Sequence, residues 1–216
     1  MKTDRLMVTV RAADTELGRL TALLSSFADM PPVIPYDLTV LGEPGSQKIQ
    51  DYCSRCQGVG YQERQEDLGV VLDRIARESE CNLQLVLHPD VIFANPAWCE
   101  AIFSKMIESG STLFGAMPFR MLKVREQDVS VFASWFIAYD ATQITKIGGF
   151  ASDCGEASWV AAYLRAKKMS MHCVGAELSG VVVHTNRCWL DTGRNPAEQA
   201  RDQSSIEIVA IKENLL

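Results

Sequence analysis

From Asn82 to Trp98 the chain reads Asn-Leu-Gln-Leu-Val-Leu-His-Pro-Asp-Val-Ile-Phe-Ala-Asn-Pro-Ala-Trp. The apolar run Leu83, Leu85, Val86, Leu87 stops abruptly at His88-Pro89-Asp90. A second apolar group, Val91, Ile92 and Phe93, follows. Asn95 and Pro96 then stand where an N-cap and a first helical residue belong. A short apolar run that ends in a turn reads as a buried strand. A buried strand whose end presents a histidine and an aspartate is a place where an α/β protein can hold a metal ion or a phosphate-bearing ligand.

The segments before it alternate strand and helix. Leu6–Val10 predicts a first strand. Asp14 or Thr15 is positioned to cap a helix in which Leu17, Leu20, Leu24 and Phe27 recur at helical spacing, with Pro31, Pro32 and Pro35 ending it. Asp37–Leu41 predicts a second strand, closed by the turn Gly42-Glu43-Pro44-Gly45-Ser46. Ser46 is placed to cap a short helix through Tyr52. Gly58–Tyr61 predicts a short third strand, and Asp67 opens a helix with Val70, Val71, Ile75 and Ala76 on its apolar side. Beyond Pro96, Trp98, Ile102, Phe103, Met106 and Ile107 line a helix stopped by Gly110. Thr112–Met117 and Val129–Tyr139 predict further strands, Glu156–Lys168 a helix, and Gly180–His184 a late strand. Ile206–Ile211 fits strand or helix. Alternation of this kind means crossover connections and a mostly parallel sheet covered on both faces. Ligands of such sheets sit beyond the carboxyl ends of the strands. Arg11, Gly42–Ser46 and His88-Pro89-Asp90 all fall at such ends and are expected to face one cleft.

With 216 residues and no linker, repeat or charge block, one domain is expected. Within it, boundaries are expected between 1–95 and 96–185, followed by a C-terminal tail, 186–216. Hydrophobic residues make up 47% and charged residues 22%, enough for a real core. The net charge of −6 repels phosphates and argues against general nucleic-acid binding. Five apolar residues at Leu6–Val10 are too few for a signal peptide, and no run approaches the roughly 20 needed to span a bilayer. Cys53, Cys56, Cys81, Cys99, Cys154, Cys173 and Cys188 are odd in number and scattered, so reduced thiols in a cytoplasmic protein are expected. Cys53 and Cys56 form a lone C-x-x-C without the second pair that structural zinc requires.

At four places the chain resembles family 2 glycosyltransferases of the GT-A fold, in particular their rhamnosyltransferase-like members. Leu-Val-Leu-His-Pro-Asp-Val, followed by Asn95-Pro96-Ala97-Trp98, resembles the family's metal-binding turn, with His88 at the first acidic place and Asp90 at the last. Gly42–Ser46 resembles the second-strand motif, with Glu43 in the acidic place and Gly45-Ser46 kept. Ile144–Phe150 resembles the Gly-Gly-Phe segment before the acceptor-side helix. Val181–Thr185 resembles a late strand ending in a histidine that reaches the metal or the diphosphate. Glu66–Gly69 with Arg74 matches a further motif loosely. The order of these segments carries the resemblance, which spans roughly Leu6 to Thr185.

The resemblance implies a single-domain GT-A-like α/β fold, with a mixed, mostly parallel sheet and helices on both faces. It implies a nucleoside-diphosphate sugar donor, an unknown acceptor and inverting transfer assisted by Mn²⁺ or Mg²⁺. Asp90, His88 and His184 are then the metal candidates, with His88 alternatively a hydrogen-bond partner of phosphate. Glu43, Ser46, Arg11, Arg74 and Arg187 are the donor-binding candidates, Arg187 lying in a tail able to close over the diphosphate. Glu156 is the candidate base for the acceptor hydroxyl and Asp153 the second choice. The family's Glu-Asp pair reads Glu156-Ala157 here. A catalytically silent GT-A-like domain that binds a nucleotide sugar or a partner is therefore the alternative. A nucleotidyltransferase ranks below both, because Val8–Leu17 contains no glycine-rich phosphate loop and Gly18 is the first glycine.

Overall fold

A computed structural model describes residues 3–124, 127–150, 158–171, 173–176 and 181–185. The chain runs β1 (Thr3–Ala12), α1 (Leu17–Asp29), β2 (Tyr36–Gly42), α2 (Gln47–Cys53), β3 (Val59–Glu63), α3 (Leu68–Glu78) and β4 (Cys81–Leu87). It continues through β5 (Val91–Phe93), α4 (Trp98–Ser109), β6 (Leu113–Val124), β7 (Gln127–Asp140), α5 (Ala141–Lys146), α6 (Ser158–Lys168), β8 (Cys173–Ala176) and β9 (Val182–His184).

Among the described residues one sheet of seven strands has the order β3-β2-β1-β4-β7-β6-β8, and β5 pairs separately with β9. β1 is parallel to both β2 and β4, β2 to β3, and β6 to β8, whereas β7 is antiparallel to β4 and β6. The sheet is therefore mixed and mostly parallel, as expected. The chain leaves β1 toward β2 on one side and returns to add β4 on the other. Strand order thus reverses between β1 and β4, and sheets of this kind bind ligands beyond the carboxyl ends of the strands at such a reversal.

Alternation along each strand feeds two apolar layers. Val8, Val10, Val40, Leu85, Leu87, Phe136 and Ala138 pack under α1, α2 and α4. Leu41, Val86, Ile137 and Tyr139 pack under α3, α5 and α6. Val86 and Leu87, neighbours in sequence, enter opposite layers, so β4 is apolar on both faces. This is why its sequence reads as a continuous run.

Several elements differ from expectation at their ends. Asp14 does not cap α1. Residues 14–16 form a short 3₁₀ turn, and Glu16 takes up the Ala13 N–H at 3.0 Å. The Asp14 carboxylate instead accepts the Ile49 N–H of α2 at 3.1 Å. Ser46, at the N-cap of α2, makes no side-chain capping bond and is buried. A carboxylate from a distant loop thus does the work expected of the local hydroxyl. The helix expected from Pro96 begins two residues later at Trp98, while the Asn95 side chain closes a turn onto the Ala97 N–H at 2.9 Å. Asp67 caps α3 as expected, accepting the Gly69 N–H at 2.8 Å. Helix α5 and strand β8 were not anticipated. The predicted start of the last helix at Glu156 and the segment Ile206–Ile211 lie outside the described residues.

Candidate functional site

The turn His88-Pro89-Asp90 is fixed on both sides. Before it, the His88 N–H donates to the Trp135 carbonyl at 3.0 Å, extending the ladder of β4 and β7. After it, β5 is fastened to α1 by the Phe93 N–H on Ser26 Oγ at 3.1 Å. Phe93 also stacks against Phe27 and Trp98, with ring centroids 5.3 and 4.4 Å away. The Trp98 indole N–H reaches the Met30 carbonyl at 2.8 Å. These contacts bury the turn, leaving His88 7% and Asp90 3% exposed.

β9 returns antiparallel to β5 and sets His184 opposite Val91. Thr185 donates both its N–H and its hydroxyl to the Asp90 carbonyl, each at 2.9 Å. The late strand of the sequence motif is therefore brought to the turn motif across more than ninety positions. The backbone of His184 is placed beside Asp90; its side chain is outside the described atoms.

Arg11 is the penultimate residue of β1, in register with Leu41 of β2, one residue beyond the pair Val10–Leu87. Its Nη2 lies 2.7 Å from His88 Nε2. A guanidinium has only donors and does not lose its proton. The imidazole must therefore accept at Nε2, in the neutral tautomer with its proton on Nδ1. Glu16 adds a half-buried carboxyl close to this group. Burial holds it above the usual carboxylate range, and Asp90 pushes the same way, against the Ala13 N–H and Arg11.

Glu43 follows the carboxyl end of β2, and its N–H donates to the Ala12 carbonyl at 3.1 Å, which sets its backbone beside the end of β1. Both its carboxylate oxygens lie 2.6 Å from Arg64 Nη2. Arg64 follows β3 by one residue and was missed in the sequence. The signal is visible only once β2 and β3 are taken as parallel neighbours, because residues just past their ends then lie side by side. Arg74 is committed on α3 to an ion pair with Glu66. Glu156, Asp153 and Arg187 lie outside the described residues.

A second feature adjoins the Arg11–His88 pair. A narrow pocket with room for about one water molecule is lined by Arg11 and His88 at one end and by Leu72, Val86, Phe150 and Trp159 around it. Tyr139 also lines it. That side chain is buried, its hydroxyl has no hydrogen-bond partner, and desolvation followed by the Asp73 charge drives its pKa far up. Phe150 belongs to the Gly148-Gly149-Phe150 turn. Asp73 accepts the Phe150 N–H at 2.5 Å, and Arg165 donates to the carbonyls of Gly148 and Gly149 at 3.2 and 2.7 Å. The Gly-Gly-Phe turn is thus clamped to α3 and α6 at the edge of the pocket.

The whole chain can be placed against solved structures. A mannosyltransferase from Pyrobaculum calidifontis, in complex with GDP-mannose and Mn²⁺, superposes with a TM-score of 0.63 at 11% identity over 96% of this chain and 70% of its own. Glucosyl-3-phosphoglycerate synthase from Mycobacterium tuberculosis, with Mn²⁺, UDP and glucosyl-3-phosphoglycerate, gives 0.70 at 15% identity over 97% and 79%. TarS of S. aureus gives 0.57 at 11% identity over 96% and 72%. The chain has a GT-A-like fold. No family description and no curated protein matches the sequence, so the likeness is one of architecture. Among the described residues no helix is long and apolar enough to cross a membrane.

Of the three residues expected to hold a divalent ion, His88 and Asp90 are buried at the turn, and the His184 side chain lies outside the described residues. Such an ion needs several ligand lone pairs turned toward it. The His88 Nε2 faces the Arg11 guanidinium at 2.7 Å. Among the described residues no three of His, Cys, Asp and Glu converge to hold an ion.

Proposed function

We propose that this chain binds a nucleoside-diphosphate sugar at the carboxyl edge of β1, β2 and β4 and transfers the sugar to an acceptor hydroxyl. One observation carries the reading. Arg11 and Glu43 stand at the carboxyl-end side of β1 and β2, beside the reversal of strand order, and the Thr185 N–H ties the end of β9 to the Asp90 carbonyl, which supports a shared site there. Among proteins of the same architecture, the mannosyltransferase is in complex with GDP-mannose and Mn²⁺ and the glucosyl-3-phosphoglycerate synthase with UDP and Mn²⁺.

In this reading Glu43, oriented by Arg64, accepts hydrogen bonds from the nucleoside. Arg11 and the buried His88-Pro89-Asp90 turn border the diphosphate. The sugar extends toward the pocket edged by Phe150 and Trp159. Glu156, with Asp153 as second choice, takes the acceptor proton as the glycosidic bond breaks, which gives inversion. Arg187 closes over the leaving diphosphate and excludes water. No step in this reading runs through a metal ion. Ser46 and Arg74 take no direct part, since one is buried at a helix start and the other is paired with Glu66.

A thermal-shift panel of nucleoside diphosphates tests donor binding, because a ligand at 100 times its dissociation constant adds about 2.7 kcal/mol. Hydrolysis of a bound nucleotide sugar, lost in Glu156→Gln with binding retained, separates the enzyme from a silent sugar-binding domain. Turnover that survives this substitution rules out Glu156 as the base.

A further inference from the structure

We propose that Cys53 and Cys56 form a redox-active dithiol, which closes to a disulfide in exchange with a small-molecule disulfide such as oxidised glutathione. This site is separate from the donor-binding reading and stands or falls without it.

The geometry comes from the way α2 ends. The helix stops at Cys53, and its cap residue Ser54 has φ −61° and ψ −20°, the values of a 3₁₀ turn. The hydrogen bonds tighten in step. The Ser54 N–H still reaches back four residues, to the Gln50 carbonyl at 3.0 Å. The Arg55 N–H reaches back three, to Tyr52 at 3.1 Å, and the Cys56 N–H three, to Cys53 at 3.0 Å. Three residues complete a 3₁₀ turn, so side chains three apart eclipse one another. Cys53 and Cys56 therefore stand one above the other on one side of the turn. Three rises of about 2.0 Å set their Cα atoms about 6 Å apart. A disulfide needs roughly 4.4–6.8 Å. Had the α-helix continued, the two side chains would be turned about 60° from each other. Cys81 in β4, Cys99 in α4 and Cys173 in β8 each stand alone on their element, so among the described residues this is the one pair built on a single turn.

The two thiols differ in access, and this orders the steps. Cys53 is 1% exposed and packs into the apolar layer under α2, whereas Cys56 is half-buried. Exchange begins at Cys56, whose sulfur bonds to one glutathione sulfur while the other leaves as a thiolate. Cys53 then attacks the Cys56 sulfur of this mixed disulfide, the second glutathione leaves, and the Cys53–Cys56 bond forms. Two protein thiols are oxidised, one small disulfide is reduced to two thiols, and each protein proton passes to a departing thiolate. Burial, with the Cys56 charge adding to it, pushes the Cys53 thiol up to about 11. Such a thiol is rarely ionised, so the second step is slow. The dithiol also lacks the thiolate stabilisation that keeps other C-x-x-C pairs reduced, so the bond resists reduction once formed.

The test incubates the full chain with oxidised and reduced glutathione at a series of ratios, quenches with N-ethylmaleimide and digests with trypsin without reduction. Arg55 lies between the two cysteines, so cleavage after Lys48, Arg55 and Arg64 puts them on different peptides, 49–55 and 56–64. These two peptides are expected as one disulfide-linked pair that dithiothreitol releases. Cys53→Ser should instead keep glutathione on Cys56, an adduct that the wild type does not accumulate. Cys56→Ser should take up glutathione about tenfold or more slowly than Cys53→Ser, because only the buried thiol remains. The peptide map of the wild type decides the matter even where a variant fails to fold. A wild-type chain that ends with glutathione on Cys56 and no linked pair overturns the proposal, and so does one in which N-ethylmaleimide finds both thiols still reduced at the most oxidising ratio.

Discussion

Substitution of Gly149 by alanine should be costly for two separable reasons. Gly149 has φ +76°, a region where a Cβ is strained by about 1–2 kcal/mol. The added Cβ would also stand 2.2 Å from Asp73 Oδ1 and 2.7 Å from its Cγ. The carboxylate can retreat only by giving up the Phe150 N–H it holds at 2.5 Å. A buried hydrogen bond to a charged group contributes roughly 1.5–3 kcal/mol, so this sets the size of the second term. Together Gly149→Ala should lose about 2.5–5 kcal/mol. Asp73→Ala alone removes the acceptor and should lose about 1–3 kcal/mol. In the Asp73→Ala background the collision is gone, and adding Gly149→Ala should cost only the backbone term, about 1–2 kcal/mol. Urea denaturation of the four proteins gives the cycle, with a coupling of about 1–3 kcal/mol expected. An equal cost of Gly149→Ala in both backgrounds would refute the claim that the Gly-Gly-Phe turn is glycine-rich because it must admit the Asp73 carboxylate.

Asp73 also predicts a pH dependence. Burial raises its pKa above the ordinary 3.8, outweighing the Phe150 N–H, Arg77 and Arg165. The folded chain therefore holds this proton to higher pH than the unfolded chain, and stability from this group is lost as pH rises through the window between the two values. Relative to Asp73→Asn, which keeps an acceptor but has no proton to lose, the wild-type urea midpoint should fall across that window; a constant difference contradicts the assignment. Arg64→Ala should cost less than about 1 kcal/mol of stability, because its ion pair with Glu43 is partly exposed, yet it should weaken UDP or GDP binding by freeing Glu43. Unchanged nucleotide affinity would remove Glu43 from the donor site. Asp67→Ala should lose about 1 kcal/mol through the open start of α3, read by the same denaturation assay.

How much of this was legible in the residues differs from element to element. The strand Leu83–Leu87 could be read because both of its faces are buried, which leaves an unbroken apolar run in the sequence. Likewise Asp67 was a correct cap because its partner, the Gly69 N–H, is two residues away. The caps of α1 and α2 were misread because the decisive partners are not local. Asp14 reaches Ile49 across 35 positions, and no sequence rule links the two. Within the site, motif order named His88, Asp90 and the strand ending in His184, and β9 pairs with β5 so that Thr185 reaches the Asp90 carbonyl. Arg11 was marked for phosphate and His88 for metal, but their contact with each other spans 77 positions and needed coordinates. Arg64 and Tyr139 carried no signal at all, since an arginine after an edge strand and a tyrosine in an apolar strand are ordinary in any sheet protein.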